Sequence, residues 1–174
     1  MKSTTWKSAA NQMVKTIMMY DGYSKIEPNT PRISQQTQDA FLNTPRHEFV
    51  PTHLQNEAYE DTPLPIGSSQ TISQPYIVAL MTELLSVKPG QKVLEIGAGS
   101  GYQAAILATL GVDVYTIEIQ SALYNDLQPK LAAWENIHLK RGDGFHGWPE
   151  AAPFDGVIIT CAAKKEVPKP LLDQ

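Results

Sequence analysis

Residues 92–96, Lys-Val-Leu-Glu-Ile, form a short apolar run that empties directly into Gly97-Ala98-Gly99-Ser100-Gly101, and a helical stretch over residues 102–110 begins at once. A strand that turns through glycines into a helix opens a βαβ unit, and it directs the chain toward a parallel sheet with right-handed crossovers. Glycines permit positive φ and carry no Cβ, so the backbone there can come close to a ligand. The first amides of the following helix attract anionic or polar groups. A dinucleotide fingerprint would place its third glycine three positions after Gly99; this chain has Tyr102 there and a glycine one residue sooner, at Gly101. That departure argues against a pyrophosphate ligand and for one with less anion to cradle. Glu118 ends the next apolar stretch about 20 residues past Gly97, where a carboxylate accepts both hydroxyls of a ribose. Loop, strand context and Glu118 together point to a nucleoside ligand.

The alternation continues downstream. Residues 113–119, 137–140 and 154–160 read as further strands, and residues 123–134 as a helix that Pro129 bends or splits. Strands this apolar are expected to be covered on both faces. Upstream, residues 73–86 make the clearest helix: Ile77, Leu80, Met81, Leu84 and Leu85 fall on one stripe of a 3.6-residue period, and Pro75 suits the first turn. Residues 34–42 suggest a short helix with Gln35, Gln36 and Gln38 outward and Ala40 and Phe41 inward. Pro63, Pro65 and Gly67 mark residues 61–69 as extended and turn-rich. The expectation is one domain over residues 1–174. It comprises a helical, irregular subregion to residue 60, a segment and helix over 61–90, and an α/β core over 91–174.

Composition removes several classes. With 174 residues, 42% hydrophobic and 18% charged, the chain is long enough for a single core and too apolar for disorder. No apolar run approaches the ~18 residues that span a membrane, and residues 1–13 hold no continuous stretch for export. The one cysteine, Cys161, forms no internal bridge and is expected as a buried thiol; a cytoplasmic location is the default. Against 18 acidic residues stand 14 basic ones, for a net charge of -4, and the scattered pairs Lys140-Arg141 and Lys164-Lys165 disfavour nucleic acid as a partner. His47, His53, His138 and His146 show no metal-ligand spacing, so no metal is expected. Two residues stay open on this reading alone. Ser73 can cap the helix behind it or act in a site. Asp143, between Gly142 and Gly144, can serve a turn or touch a base.

Five stretches together resemble the protein-L-isoaspartate (D-aspartate) O-methyltransferase family of S-adenosylmethionine-dependent enzymes. They are Thr44-Pro45-Arg46-His47-Glu48-Phe49-Val50-Pro51, Leu64-Pro65-Ile66-Gly67, Gln70-Thr71-Ile72-Ser73-Gln74-Pro75-Tyr76, the run from Val93 through the glycine loop to Tyr102, and Gly142-Asp143-Gly144. The resemblance implies a Rossmann-like class I methyltransferase, α/β, with a mostly parallel sheet and helices on both faces. It implies S-adenosyl-L-methionine as cofactor, and repair of isoaspartyl-containing proteins and peptides as function. By position, Glu95, Gly97, Gly99 and Gly101 match contacts to the methionine end of the cofactor, Glu118 the ribose acid, and Asp143 with Gly144 the adenine pair. Ser73 matches the active-site serine, with Thr71 and Ile72 lining the same pocket; Leu64, Pro65, Ala162 and Ala163 match residues beside the substrate. Relatives normally continue past Gln174 with further strands, so the chain reads as C-terminally truncated, with an open sheet edge offering a surface for self-association. A catalytically inactive member that binds cofactor or a partner is the alternative this departure implies.

Overall fold

The structure, a computed structural model, describes residues 3–23, 30–162 and 166–174. Its contacts divide the chain into two compact units, Met1–Ser86 and Val87–Gln174. Among the described residues no helix is long and apolar enough to cross a membrane, and no cluster of His, Cys, Asp or Glu is arranged to hold a metal.

The first unit is built on a long helix that the sequence analysis did not isolate, α1 (Ser3–Tyr23). Ala10, Met13, Val14 and Ile17 are buried at a spacing of three and four, one helical stripe. This helix meets α2 (Gln35–Asn43) and α3 (Pro75–Leu85), which also meet each other. The helix expected over residues 34–42 is α2, capped by Ser34 and burying Ala40 and Phe41 as anticipated, with Thr37 beside them. Residues 61–69 are extended and turn-rich as expected: β1 (Leu64–Gly67) pairs antiparallel with β2 (Gln70–Ile72), through a tight turn in which Ser68 and Ser69 both take positive φ. One expectation needs correction, because α3 begins at Pro75 and buries a different stripe, namely Tyr76, Val78, Ala79 and Thr82, while Ile77 and Leu84 stand 38% and 58% exposed. The helix is apolar on more than one side, so periodicity alone had no means of choosing the face that α1 and α2 take.

The second unit carries a four-stranded, wholly parallel sheet in the order β5-β4-β3-β6. Its strands are β3 (Lys92–Ile96), β4 (Asp113–Glu118), β5 (Ile137–Arg141) and β6 (Gly156–Ile159). The crossovers carry α4 (Tyr102–Thr109) and α5 (Ser121–Leu131), and α6 (Lys169–Leu172) closes the unit. Gly111 takes φ 81 and turns the chain out of α4 as a left-handed cap, while α5 runs through Pro129 and stops two residues later. Helices lie on both faces. α4 and α5 meet β4 and β5, and Leu171 of α6 packs from the opposite side against Leu94, Ile96 and Ile117, with Trp148, Phe154, Val157 and Ile159 around it. β6 pairs only with β3, so its other side is an edge among the described residues.

Candidate functional site

Sheet order reverses at β3, whose neighbours are β4, next along the chain, and β6, the last strand. Such a switch point opens a crevice beyond the carboxyl ends of the strands. The glycine loop leaves β3 at this place. Gly97, Gly99 and Gly101 all have positive φ, at 95°, 56° and 83°. At Gly97 the space is taken as well, because an added Cβ would lie 2.9 Å from the Cβ of Cys161. The loop is anchored on both flanks. The amides of Gly97 and Ala98 donate to the Ile117 carbonyl, at 2.9 and 3.1 Å. From β6's end, the Thr160 hydroxyl donates to the Gly97 carbonyl at 2.6 Å and lies 3.0 Å from that of Ile96.

Glu118, at the last position of β4, is buried and bonds across to the loop. Its Oε2 accepts from the Gly99 amide and its Oε1 from the Gln120 amide, both at 2.8 Å. One strand inward, Glu95 has no exposed surface. Thr116, its register partner on β4, donates a hydroxyl to Glu95 Oε2 at 2.5 Å, whereas Oε1 is buried with no hydrogen-bond partner. Burial pushes the Glu95 carboxyl up to about 8; the Thr116 bond opposes this and the Glu118 charge adds to it. At neutral pH Glu95 is therefore mostly protonated, with an orphaned polar atom.

Asp143 and Gly144 follow β5 at the same edge. Asp143 Oδ1 accepts from the Phe145 amide at 2.9 Å and caps a short 3-10 turn, Gly144–His146. Gly144 answers to a neighbour: a Cβ there would meet Ile96 Cγ2 at 2.3 Å. Both thus have local structural reasons to be what they are. Cys161 is exposed rather than buried as expected, because β6 ends at Ile159 and leaves it at the strand's mouth. Partial burial still raises its thiol above the ordinary value, helped by the nearby charges of Glu118 and Glu95. Ala162 is exposed beside it, and Ala163 lies outside the described residues, as does the Lys164-Lys165 pair.

The remaining expected residues belong to the first unit. Leu64 opposes Ile72 and Pro65 opposes Thr71 across the β1–β2 pair, with Leu64 and Ile72 buried and Pro65 and Thr71 exposed. Ser73 is half-buried between β2 and α3. It does not occupy the helix cap, which falls on Gln74 with no capping side-chain bond. Asp61 serves the helix start instead, its Oδ1 accepting from the Tyr76 amide at 2.8 Å and its Oδ2 from Gln74 Nε2 at 2.7 Å. Arg46, wholly buried, donates from Nη2 to the Ser73 carbonyl and from Nε to the Ala58 carbonyl, both at 2.8 Å. Its neighbour His47 bonds Tyr59 through Nδ1 at 2.7 Å, and burial lowers the His47 value while raising that of Tyr59. Sequence reasoning missed Arg46, Asp61, Thr116 and Thr160. Arginine and aspartate are ordinarily solvated, and nothing in their spacing signals a fold that buries Arg46 and half-buries Asp61.

The family model described as Protein-L-isoaspartate(D-aspartate) O-methyltransferase matches residues 25–174. The chain belongs to that family. A Polaromonas protein named protein-L-isoaspartate O-methyltransferase 2 is 48% identical over 153 residues, 87% of this chain and 72% of its own. Methanoregula boonei has a protein-L-isoaspartate O-methyltransferase that is 56% identical over 137 residues, 78% of this chain and 63% of its own. A solved protein-L-isoaspartate O-methyltransferase superposes with a TM-score of 0.80 at 28% identity, covering 95% of this chain and 51% of the other. A Plasmodium falciparum structure, described as such a methyltransferase in complex with S-adenosyl-L-homocysteine, shares the fold with a TM-score of 0.71 at 22% identity, over 97% of this chain and 78% of the other. The fold is thus that of the class I methyltransferases, and the chain spans about half to three-quarters of these relatives' lengths.

Proposed function

We propose that the chain moves a methyl group from S-adenosyl-L-methionine to the free α-carboxylate of L-isoaspartyl residues, and of D-aspartyl residues, in damaged proteins and peptides. The carrying observation is Glu118, which ends β4 at the switch point and reaches the middle glycine of the loop. A carboxylate offers roughly four acceptor positions, so two backbone amides leave room for the paired hydroxyls of a ribose. The residues fit the cofactor on a second count: Glu95 Oε1 is buried on the loop strand with no hydrogen-bond partner, and the ammonium of a methionine moiety would favour the ionised carboxylate and supply that partner. In this reading Glu95, Gly97, Gly99 and Gly101 hold the methionine end, Glu118 the ribose, and Asp143 with Gly144 the adenine. By the family resemblance, Thr71 and Ile72 are assigned to the cofactor, and Leu64, Pro65 and Ala162 to the substrate; Ala163, assigned with them, lies outside the described residues.

Bound there, the cofactor supplies an electrophilic methyl group on a sulfonium. The protein has little further chemistry to perform. An α-carboxylate has a pKa of roughly 3.5 and is fully ionised at neutral pH, so no general base is needed. What remains is placement and exclusion of water, worth about 7–11 kcal/mol when the reacting groups are well aligned. Ser73 orients the carboxylate through a hydrogen bond and takes no acyl group.

Labelled S-adenosyl-L-methionine with an isoaspartyl peptide tests the reading. Transfer to the isoaspartyl and D-aspartyl peptides, and none to the normal aspartyl peptide, is the expected result. Cofactor binding by calorimetry without transfer would favour the inactive binding member instead, and absence of both would sink each. The unpaired side of β6 further supports self-association through that edge, which light scattering would report as a mass above 19.2 kDa.

A further inference from the structure

We propose that Arg46 and Asp61 are positioning residues that lock the Ser73–Gln74–Pro75 link and thereby set the direction of the Ser73 hydroxyl. The inference rests on Ser73 being the residue that meets the substrate carboxylate. β2 ends at Ile72 and α3 begins at Pro75, so Ser73 lies outside both ladders and Gln74 joins the helix through its carbonyl alone, which accepts from the Val78 amide at 3.1 Å. Pro75 has no amide to donate, and the cap residue Gln74 makes no capping side-chain bond. Left to itself, such a link would be among the looser parts of its unit.

Two side chains from distant stretches hold it. Arg46, 27 residues upstream of Ser73, takes the Ser73 carbonyl, and its second bond to Ala58 ties that grip to the segment before β1. Asp61, 13 residues upstream of Gln74, takes the Gln74 side chain and, with its other oxygen, the Tyr76 amide. Residues 73, 74 and 76 are thus all fastened, and only the serine side chain is left to choose a rotamer. A guanidinium is almost never fully buried unless its donors are engaged, and Arg46 has no exposed surface while holding two carbonyls. A planar fork with donors in two directions can hold two carbonyls at once, and an ammonium cannot reproduce that geometry.

The experiment compares the whole chain with Arg46→Lys, Asp61→Asn and Asp61→Ala, with Glu83→Gln as control, because the Glu83 side chain ties Ser34 within the same unit and stands near the far end of α3 from Ser73. Each is assayed for kcat, KM and cofactor affinity well below its own Tm. Misplacement by about 1 Å can cost ~100-fold in rate, so Arg46→Lys and Asp61→Ala are expected to lower kcat at least tenfold, a larger factor than any change in cofactor affinity. Asp61→Asn keeps an acceptor for the Tyr76 amide and should recover most of the rate; Glu83→Gln should lower Tm and leave kcat alone. If wild type is active and Arg46→Lys and Asp61→Ala lose Tm but keep kcat, the inference is overturned and the function stands. If wild type transfers no methyl group while binding cofactor, the function fails and the inference with it.

Discussion

The two units hold their polar residues in place by different means. In Val87–Gln174 the elements around the crevice are joined by a continuous parallel ladder, and Glu118 and Thr160 reach the glycine loop from strand ends directly alongside it. Among the described residues of Met1–Ser86 the only sheet is a short two-stranded pair, and side chains from distant stretches do the holding. Arg46 reaches Ser73, Asp61 reaches the start of α3, and Glu83 accepts both the amide and the hydroxyl of Ser34. A ladder distributes load over many equivalent bonds, whereas a clamp concentrates it on one side chain. Substitutions should therefore act locally and sharply on ligand binding in the second unit, and through stability and placement in the first.

The largest effect expected is from Glu118→Ala. It removes the anchor on Gly99 and the acceptor offered to the ribose, each a charge-assisted bond worth about 1.5–3 kcal/mol. Calorimetry should show cofactor affinity falling by about 100-fold, and unchanged binding would contradict the site. Next comes Gly144→Ala, whose Cβ would sit 2.3 Å from Ile96 Cγ2. Overpacking of this kind costs about 1–3 kcal/mol, seen as a lower Tm, and the same change should cost less in an Ile96→Ala background, which lacks the clashing Cγ2. Failure of that pair to couple would mean the glycine is there for another reason.

A smaller loss follows from Ser34→Ala, which deletes the α2 cap to Thr37 and the bond to Glu83, about 1 kcal/mol by chemical denaturation. Smallest in its effect on stability at neutral pH is Glu95→Gln, since the native side chain is already mostly protonated there. Its folded value of about 8 lies above the ordinary 4.5, so its contribution is fully present below about pH 4.5 and is lost as pH rises through about 8. Wild type should lose Tm between about pH 5 and about pH 8 more steeply than Glu95→Gln does. Parallel curves would show that Glu95 is charged throughout.

These same differences explain what could be read in the chain beforehand. β3 was legible to the residue, and β4, α4 and β5 nearly so, because an apolar strand, a glycine turn and a helix are each written in local residue types. The crevice followed from that order. The first unit was far less legible. α1 alternates too weakly to announce itself, the β1–β2 turn uses two serines at positive φ where a sequence would advertise glycine or asparagine, and α3 offers two apolar stripes of which its neighbours select one. Ser73 is singled out by resemblance alone, while the residues that hold its carbonyl and its neighbours left no signal, since burial of Arg46 is decided by partners many positions away.

One consequence attaches to the carboxylate that closes β4. Both of its oxygens are engaged by backbone amides, so its orientation is settled before any guest arrives. A sugar docking there would find a rigid acceptor and would forfeit little rotational freedom of the host, leaving selectivity to the shape of the diol rather than to adjustment of the cradle.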